Sequence, residues 1–159
     1  EPFGVHTIGL RYSPEKSGPA DEIGGLGEED LYDALSRSEY VVIATPLTEA
    51  TEGLIDGEAL QTMPPEAVLI NIARGPIVET DALVHELQRN ALRGAVLDVT
   101  DPEPLPPDHV LWNLDNVLLT PHSAGFTPAY WERRAEILAE NVRQAEATGA
   151  FDNLRNQVG

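Results

Sequence analysis

Five short runs of largely aliphatic residues recur along the chain: VHTIGL (5–10), YVVIAT (40–45), AVLINI (67–72), GAVLDV (94–99) and NVLLT (116–120). Runs with so little polar alternation suit strands covered on both faces, the condition of a parallel sheet between two layers of helices. Between them the apolar positions return every three to four residues, the helical period. Residues 28–37 open with Glu28, Glu29 and Asp30, which favour a helix N-terminus, and bring Leu31, Ala34 and Leu35 onto one face. Asp56 is placed to cap a short helix through Met63, stopped by Pro64-Pro65. Thr80 is placed to cap a helix over 81–90 with Leu83, Val84 and Leu87 inward. Thr127 as N-cap and Pro128 at the first helical position predict a long helix carrying Trp131, Ala135, Leu138, Val142 and Ala145.

Strand and helix therefore alternate, which predicts an α/β fold with a doubly wound, Rossmann-like parallel sheet whose ligands sit beyond the carboxyl ends of the strands. The stretches there are TPLTEATEG, ARG, TDPEP and PHSAG, following residues 44, 72, 99 and 120, and they are rich in polar residues, Gly and Pro. Residues 13–27 read as a loop. Within 24–30, GGLGEED imitates a nucleotide-binding glycine turn, but no apolar strand precedes its first glycine and three carboxylates would face the phosphates. It reads as a flexible turn.

Composition narrows the chemistry. With 159 residues, 42% of them hydrophobic, the chain can bury the core of one domain, and it holds no apolar run long enough to span a membrane and no signal peptide. Cysteine is absent, which excludes disulfides, thiolate metal sites and cysteine nucleophiles and fits a cytoplasmic location. The four histidines, His6, His85, His109 and His122, lack metal-ligand spacing. Acidic residues outnumber basic ones 27 to 10, for a net charge of −17, and Lys16 is the single lysine. Such a field repels nucleic acid and anionic membranes. Acids scattered over helix faces, with lysine so scarce, point to salt adaptation and a halophilic source.

Three side chains on successive strand ends can do chemistry together. Arg74 follows AVLINI and precedes Gly75-Pro76, where a guanidinium can grip a carboxylate in bidentate fashion. Glu103 follows GAVLDV in a proline-stiffened loop, and His122 follows VLLT. Singly they read as a surface arginine, a solvated acid and a loop histidine. Together they form a carboxylate clamp, an acid and an imidazole on one sheet.

The segments ATPLTEATEGLI, VLINIARGPIVETDALVHEL, GAVLDVTDPEPLP and NVLLTPHSAG resemble, in order and spacing, the cofactor domain of the D-isomer-specific 2-hydroxyacid dehydrogenases, and the resemblance covers about residues 5–158. It implies that Arg74 binds the substrate carboxylate, that Glu103 pairs with His122, that His122 is the acid-base, and that Asp98 holds the nicotinamide carboxamide. Reduction of a 2-keto acid needs a proton at the carbonyl oxygen, which an imidazole can give and reclaim. A glutamate beside it fixes the ring and pairs with its charged form.

The expected cofactor-facing set is Arg11, Tyr12, Ser13, Thr45, Pro46, Thr51, Ile72, Ala73, Arg74, Asp98, His122 and Ala124. NAD-preferring domains end their second strand with Asp or Glu, which binds the ribose diol; here VHTIGL ends in Arg11-Tyr12-Ser13 with Lys16 close behind. A cation and a hydroxyl there predict NADP over NAD.

The family carries, ahead of the strand that opens this chain, a first strand and a glycine-rich turn, so the domain over 1–147 is expected to be incomplete and its sheet to be gapped. Residues 148–159 then begin a return to a substrate domain that is absent, and these residues alone are expected neither to fold fully nor to turn over substrate. The resemblance implies an NADP- or NAD-dependent reductase of a small 2-keto acid, or oxidant of the D-2-hydroxy acid. A non-catalytic, dinucleotide-sensing interaction protein on the same scaffold is the alternative. A homodimer is implied, and the stretch 104–116, with Val110, Leu111 and Trp112 read as exposed, suits either part of its contact or a loop packed on its own domain.

Overall fold

The computed structural model describes residues 4–16, 18–151 and 154–156. All five apolar runs form strands, each shorter than the run. β1 (Ile8–Leu10) pairs in parallel with β2 (Glu22–Gly24), and a second parallel sheet runs β3 (Tyr40–Ile43), β4 (Val68–Asn71), β5 (Gly94–Leu97), β6 (Val117–Leu119) in that order. Because the strands stop early, Thr45, Ile72, Asp98 and Thr120 stand just past their carboxyl ends. The strand β2 corrects the reading of 13–27 as a loop. With one large apolar residue, Ile23, between Glu22 and Gly24, it carries no hydrophobic signature, and its backbone pairing to β1 makes it a strand. Arg37 at the end of the first helix clamps Glu22 through both guanidinium nitrogens, and Arg37 followed by His6 holds the Glu22 carboxyl down at about 2.

The helices are α1 (Glu28–Ser36), α2 (Gly57–Thr62), α3 (Thr80–Gln88) and α4 (Tyr130–Thr148), with single 3-10 turns at Gly75–Ile77 and Val110–Asn113. Asp56 caps α2 as predicted, accepting from the Ala59 amide at 2.8 Å. Two other caps differ from the sequence reading. Glu79 precedes α3, while Thr80 is already helical and gives its hydroxyl to the Asp101 carbonyl, across to the loop after β5. Ala129 precedes α4, and Thr127 contributes only its carbonyl, to the Tyr130 amide.

Compactness divides the chain into Glu1–His122 and Ser123–Gly159. In the first unit Leu31 and Leu35 of α1, Leu60 of α2 and Leu83 and Leu87 of α3 share one core with Ile43, Leu69, Ala95 and Leu97 of the sheet. The opposite face carries the paired row Val42, Ile70, Val96 and Leu118, in which Val42 and Leu118 remain more than half exposed. Apolar residues on both faces of these strands predict two covers, and the first unit supplies one. The expected gap is also present: β1 and β3 do not pair, and a cleft of about 330 Å³ lined by Ile8, Leu10, Tyr40 and Val42 separates them.

In the second unit none of the described residues of α4 is buried, so Trp131, Leu138 and Val142 form an apolar stripe without a core. Tyr130 stacks edge-on against Trp131, and Arg134 lies over both rings. The helix ends at Gly149, whose left-handed backbone closes the last turn. Of the segment 148–159 expected to lead away from the domain, residues 152, 153 and 157–159 lie outside the described residues.

Candidate active site

The turn after β4 is built around Asn71, which is 1% exposed. Its side-chain oxygen accepts from the Ala73 amide at 3.0 Å and its amide nitrogen donates to the Arg74 carbonyl at 2.9 Å, so the buried group is satisfied at both ends. Next comes Gly75, where a Cβ would strike the Thr100 carbonyl; only glycine lets this turn lie against the loop after β5. The Arg74 side chain emerges exposed, with Nη1 donating to its own turn at the Ala73 carbonyl, 2.6 Å away.

His122 and Glu103 meet at the ends of β6 and β5, with 2.6 Å between His122 Nδ1 and Glu103 Oε1 and both side chains close to half exposed. An exposed pair of this kind adds little to stability, and its consequence is geometric: it orients the ring. The His122 backbone has φ +50°, the left-handed region that few side chains adopt. Its amide is held in that turn by the carbonyls of Asp98 at 2.9 Å and Thr120 at 3.0 Å. Asp98, 4% exposed, accepts the Thr120 hydroxyl on Oδ1. A backbone chain links the strand ends, since the Asp98 amide donates to the Asn71 carbonyl and the Asp98 carbonyl takes the His122 amide. Asp98, Glu103 and His122 line one cleft of about 310 Å³, walled by Leu105, Trp112 and Leu119.

Three of the predicted residues are thus gathered, Asp98, Glu103 and His122, while Arg74 stands outside that cleft on the neighbouring strand end. Arg11 is half-buried just past β1; its Nη1 donates to the Lys16 carbonyl and its guanidinium lies against Gly18, so the arginine organises the loop that follows it. Beside it Tyr12 is 85% exposed and Ser13 half-buried. Thr45 faces the cleft between the two sheets. Pro46 is exposed, and its carbonyl accepts the hydroxyl of Thr51, which is 3% exposed and so serves its own loop. Ile72 is exposed and Ala73 buried. Ala124 belongs to the unit 123–159. Of the trio Val110, Leu111 and Trp112, Leu111 lies in the core at 2% exposed, which corrects its reading as a surface residue, while the indole of Trp112 donates to the Pro106 carbonyl.

Asn71 and Thr120 were missed. The signal for Asn71 was present as an uncharged amide interrupting an otherwise apolar strand, since a polar group buried there must serve something. For Thr120 there was none, because its partner lies 22 residues away on another strand.

Among the described residues no group of His, Asp and Glu is placed to hold a metal ion, and no helix is long and apolar enough to cross a membrane. The groups present suit a nicotinamide dinucleotide: a guanidinium and a hydroxyl past β1, an exposed apolar Ile72 past β4, and a buried carboxylate able to accept past β5.

Residues 1–124 match the model of the D-isomer specific 2-hydroxyacid dehydrogenase, NAD binding domain. A glyoxylate reductase of Thermofilum pendens is 48% identical over 113 residues, 71% of this chain and 33% of that protein. An (S)-sulfolactate dehydrogenase of Chromohalobacter salexigens is 46% identical over 117 residues, 74% of this chain and 38% of that protein. The crystal structure of a D-isomer specific 2-hydroxyacid dehydrogenase from Xanthobacter autotrophicus Py2, in complex with NADPH and MES, superposes with a TM-score of 0.85 at 36% identity, covering 98% of this chain and 62% of that one. The chain spans less than half the length of the curated relatives it matches.

Proposed function

This chain belongs to the D-isomer specific 2-hydroxyacid dehydrogenase family, of which it carries the NAD binding domain, and from that premise we propose that it serves an oxidoreductase acting between a small 2-keto acid and its D-2-hydroxy acid. The observation that carries the reading is the contact of 2.6 Å between His122 and Glu103, on adjacent strand ends beside the buried Asp98.

When bound, the nicotinamide supplies the hydride for reduction and takes it up in the reverse direction. The chain's own residues manage the substrate and the proton. Glu103 accepts from Nδ1–H of His122 and pairs with the imidazolium, whose Nε2–H gives its proton to the carbonyl oxygen as it becomes a hydroxyl and leaves the neutral Nδ1–H ring behind. In oxidation the same nitrogen takes that proton back. One edge of the Arg74 guanidinium is anchored on the Ala73 carbonyl, and the remaining donors suit the two oxygens of a carboxylate. Asp98 would receive the carboxamide of the nicotinamide. The reading places the enzyme in the cytoplasm as a homodimer, with exposed Trp112 as a candidate contact.

NADP is the proposed preference, with NAD as the second cofactor. What supports it is Arg11 and Ser13 past β1, where a carboxylate that would repel a 2′-phosphate is missing. The natural protein that carries this chain is expected to oxidise NADPH with at least one member of a panel of small 2-keto acids, and faster than NADH. Binding of the dinucleotide without oxidation on any member would replace the enzyme by the dinucleotide sensor. Arg11→Asp is expected to shift the ratio of kcat/KM for NADPH over NADH about tenfold or more toward NADH, as loss of a charge-assisted phosphate contact requires. An unchanged ratio removes the NADP preference and leaves the rest standing.

A further inference from the structure

Thr120 is the first residue beyond β6, and all three of its polar groups are engaged at the site. Its amide donates to the Leu97 carbonyl at 3.0 Å, its carbonyl accepts the His122 amide at 3.0 Å, and its hydroxyl donates to Oδ1 of Asp98 at 2.5 Å. Since the Asp98 carbonyl accepts the same His122 amide, Thr120, Asp98 and His122 form a closed ring of hydrogen bonds spanning the ends of β5 and β6. The hydroxyl is the one side-chain link in that ring.

We propose that Thr120 is a positioning residue for dinucleotide binding, setting the direction of the Asp98 carboxylate through its hydroxyl; the inference rests on the proposed function, in which Asp98 meets the nicotinamide carboxamide. A carboxylate only 4% exposed has little water to solvate it, so a donor on Oδ1 both stabilises its charge and fixes its rotation. Threonine suits this task because branching at Cβ restricts its χ1 and keeps the hydroxyl aimed. A turned Asp98 would meet the carboxamide poorly, while the Arg74 turn and the His122–Glu103 contact, which do not involve the hydroxyl, would persist.

The test uses the natural protein with Thr120→Val, an isostere without the donor, and Thr120→Ser, which restores it. Thr120 is itself exposed, so neither change should cost the fold, and Thr120→Ala carries the same expectation should the valine variant not accumulate. Thr120→Val is expected to raise the Kd of NADPH, measured by fluorescence titration without substrate, about tenfold. The KM for the 2-keto acid and the pH profile of kcat should stay in place, and serine should recover most of the loss. An unchanged Kd in Thr120→Val, or a serine variant as impaired as valine, overturns the proposal. Because the titration involves no turnover, it decides the role of Thr120 even in a protein that reduces no 2-keto acid.

Discussion

In His122→Asn, reduction of a 2-keto acid by the natural protein is expected to fall by about a hundredfold to ten-thousandfold in kcat, the range of a lost general acid, while NADPH binding changes little. Asparagine is the informative replacement because it tolerates the left-handed backbone found at this position, φ +50°, better than most residues. The amide bonds to the Asp98 and Thr120 carbonyls can therefore survive, and the loss reports on the imidazole rather than on the turn. Glu103→Gln should cost less, since an amide oxygen can still accept from Nδ1 and hold the ring. Single-turnover measurement at saturating cofactor and substrate checks both. A His122→Asn variant keeping more than about a tenth of wild-type turnover would deny His122 the role of general acid.

Much of this site was legible in the sequence because its parts are local. The buried strands announce themselves by apolar runs such as VLI and GAVL, and the residue that follows a parallel strand must stand at the sheet's functional edge. Strand order put Glu103 and His122 on successive strand ends, and the family resemblance implied that they pair. The Asp56 cap was legible for the same reason, since donor and acceptor lie three residues apart.

What could not be read depends on neighbours distant in sequence. Glu22–Gly24 is a strand only because β1 offers it a parallel edge. Thr80 looked like a cap until the Asp101 carbonyl, 21 residues on, drew its hydroxyl away. Leu111 looked exposed in a loop full of proline and aspartate, yet it belongs to the core. Thr120 follows the same rule in the site itself.

Arg74→Met is expected to raise the KM of the 2-keto acid steeply and to lower kcat/KM by about a hundredfold to a thousandfold, since two charge-assisted hydrogen bonds worth about 1.5–3 kcal/mol each disappear with only partial replacement by water. Arg74→Lys separates charge from shape: it keeps the cation, loses the planar fork, and should recover only part of that factor. Affinity for NADPH should hardly move in either variant, because the turn that presents residue 74 is fixed by Asn71 and by the close approach of Gly75 to Thr100, neither of which needs the guanidinium. The signature is thus opposite to that of His122→Asn, which lowers kcat with little change in binding. Kinetics on a keto acid and on its amide give the sharpest reading. The amide lacks the carboxylate, so the penalty of Arg74→Met should largely vanish on it; an equal penalty on both substrates would mean that Arg74 supports the turn and grips nothing.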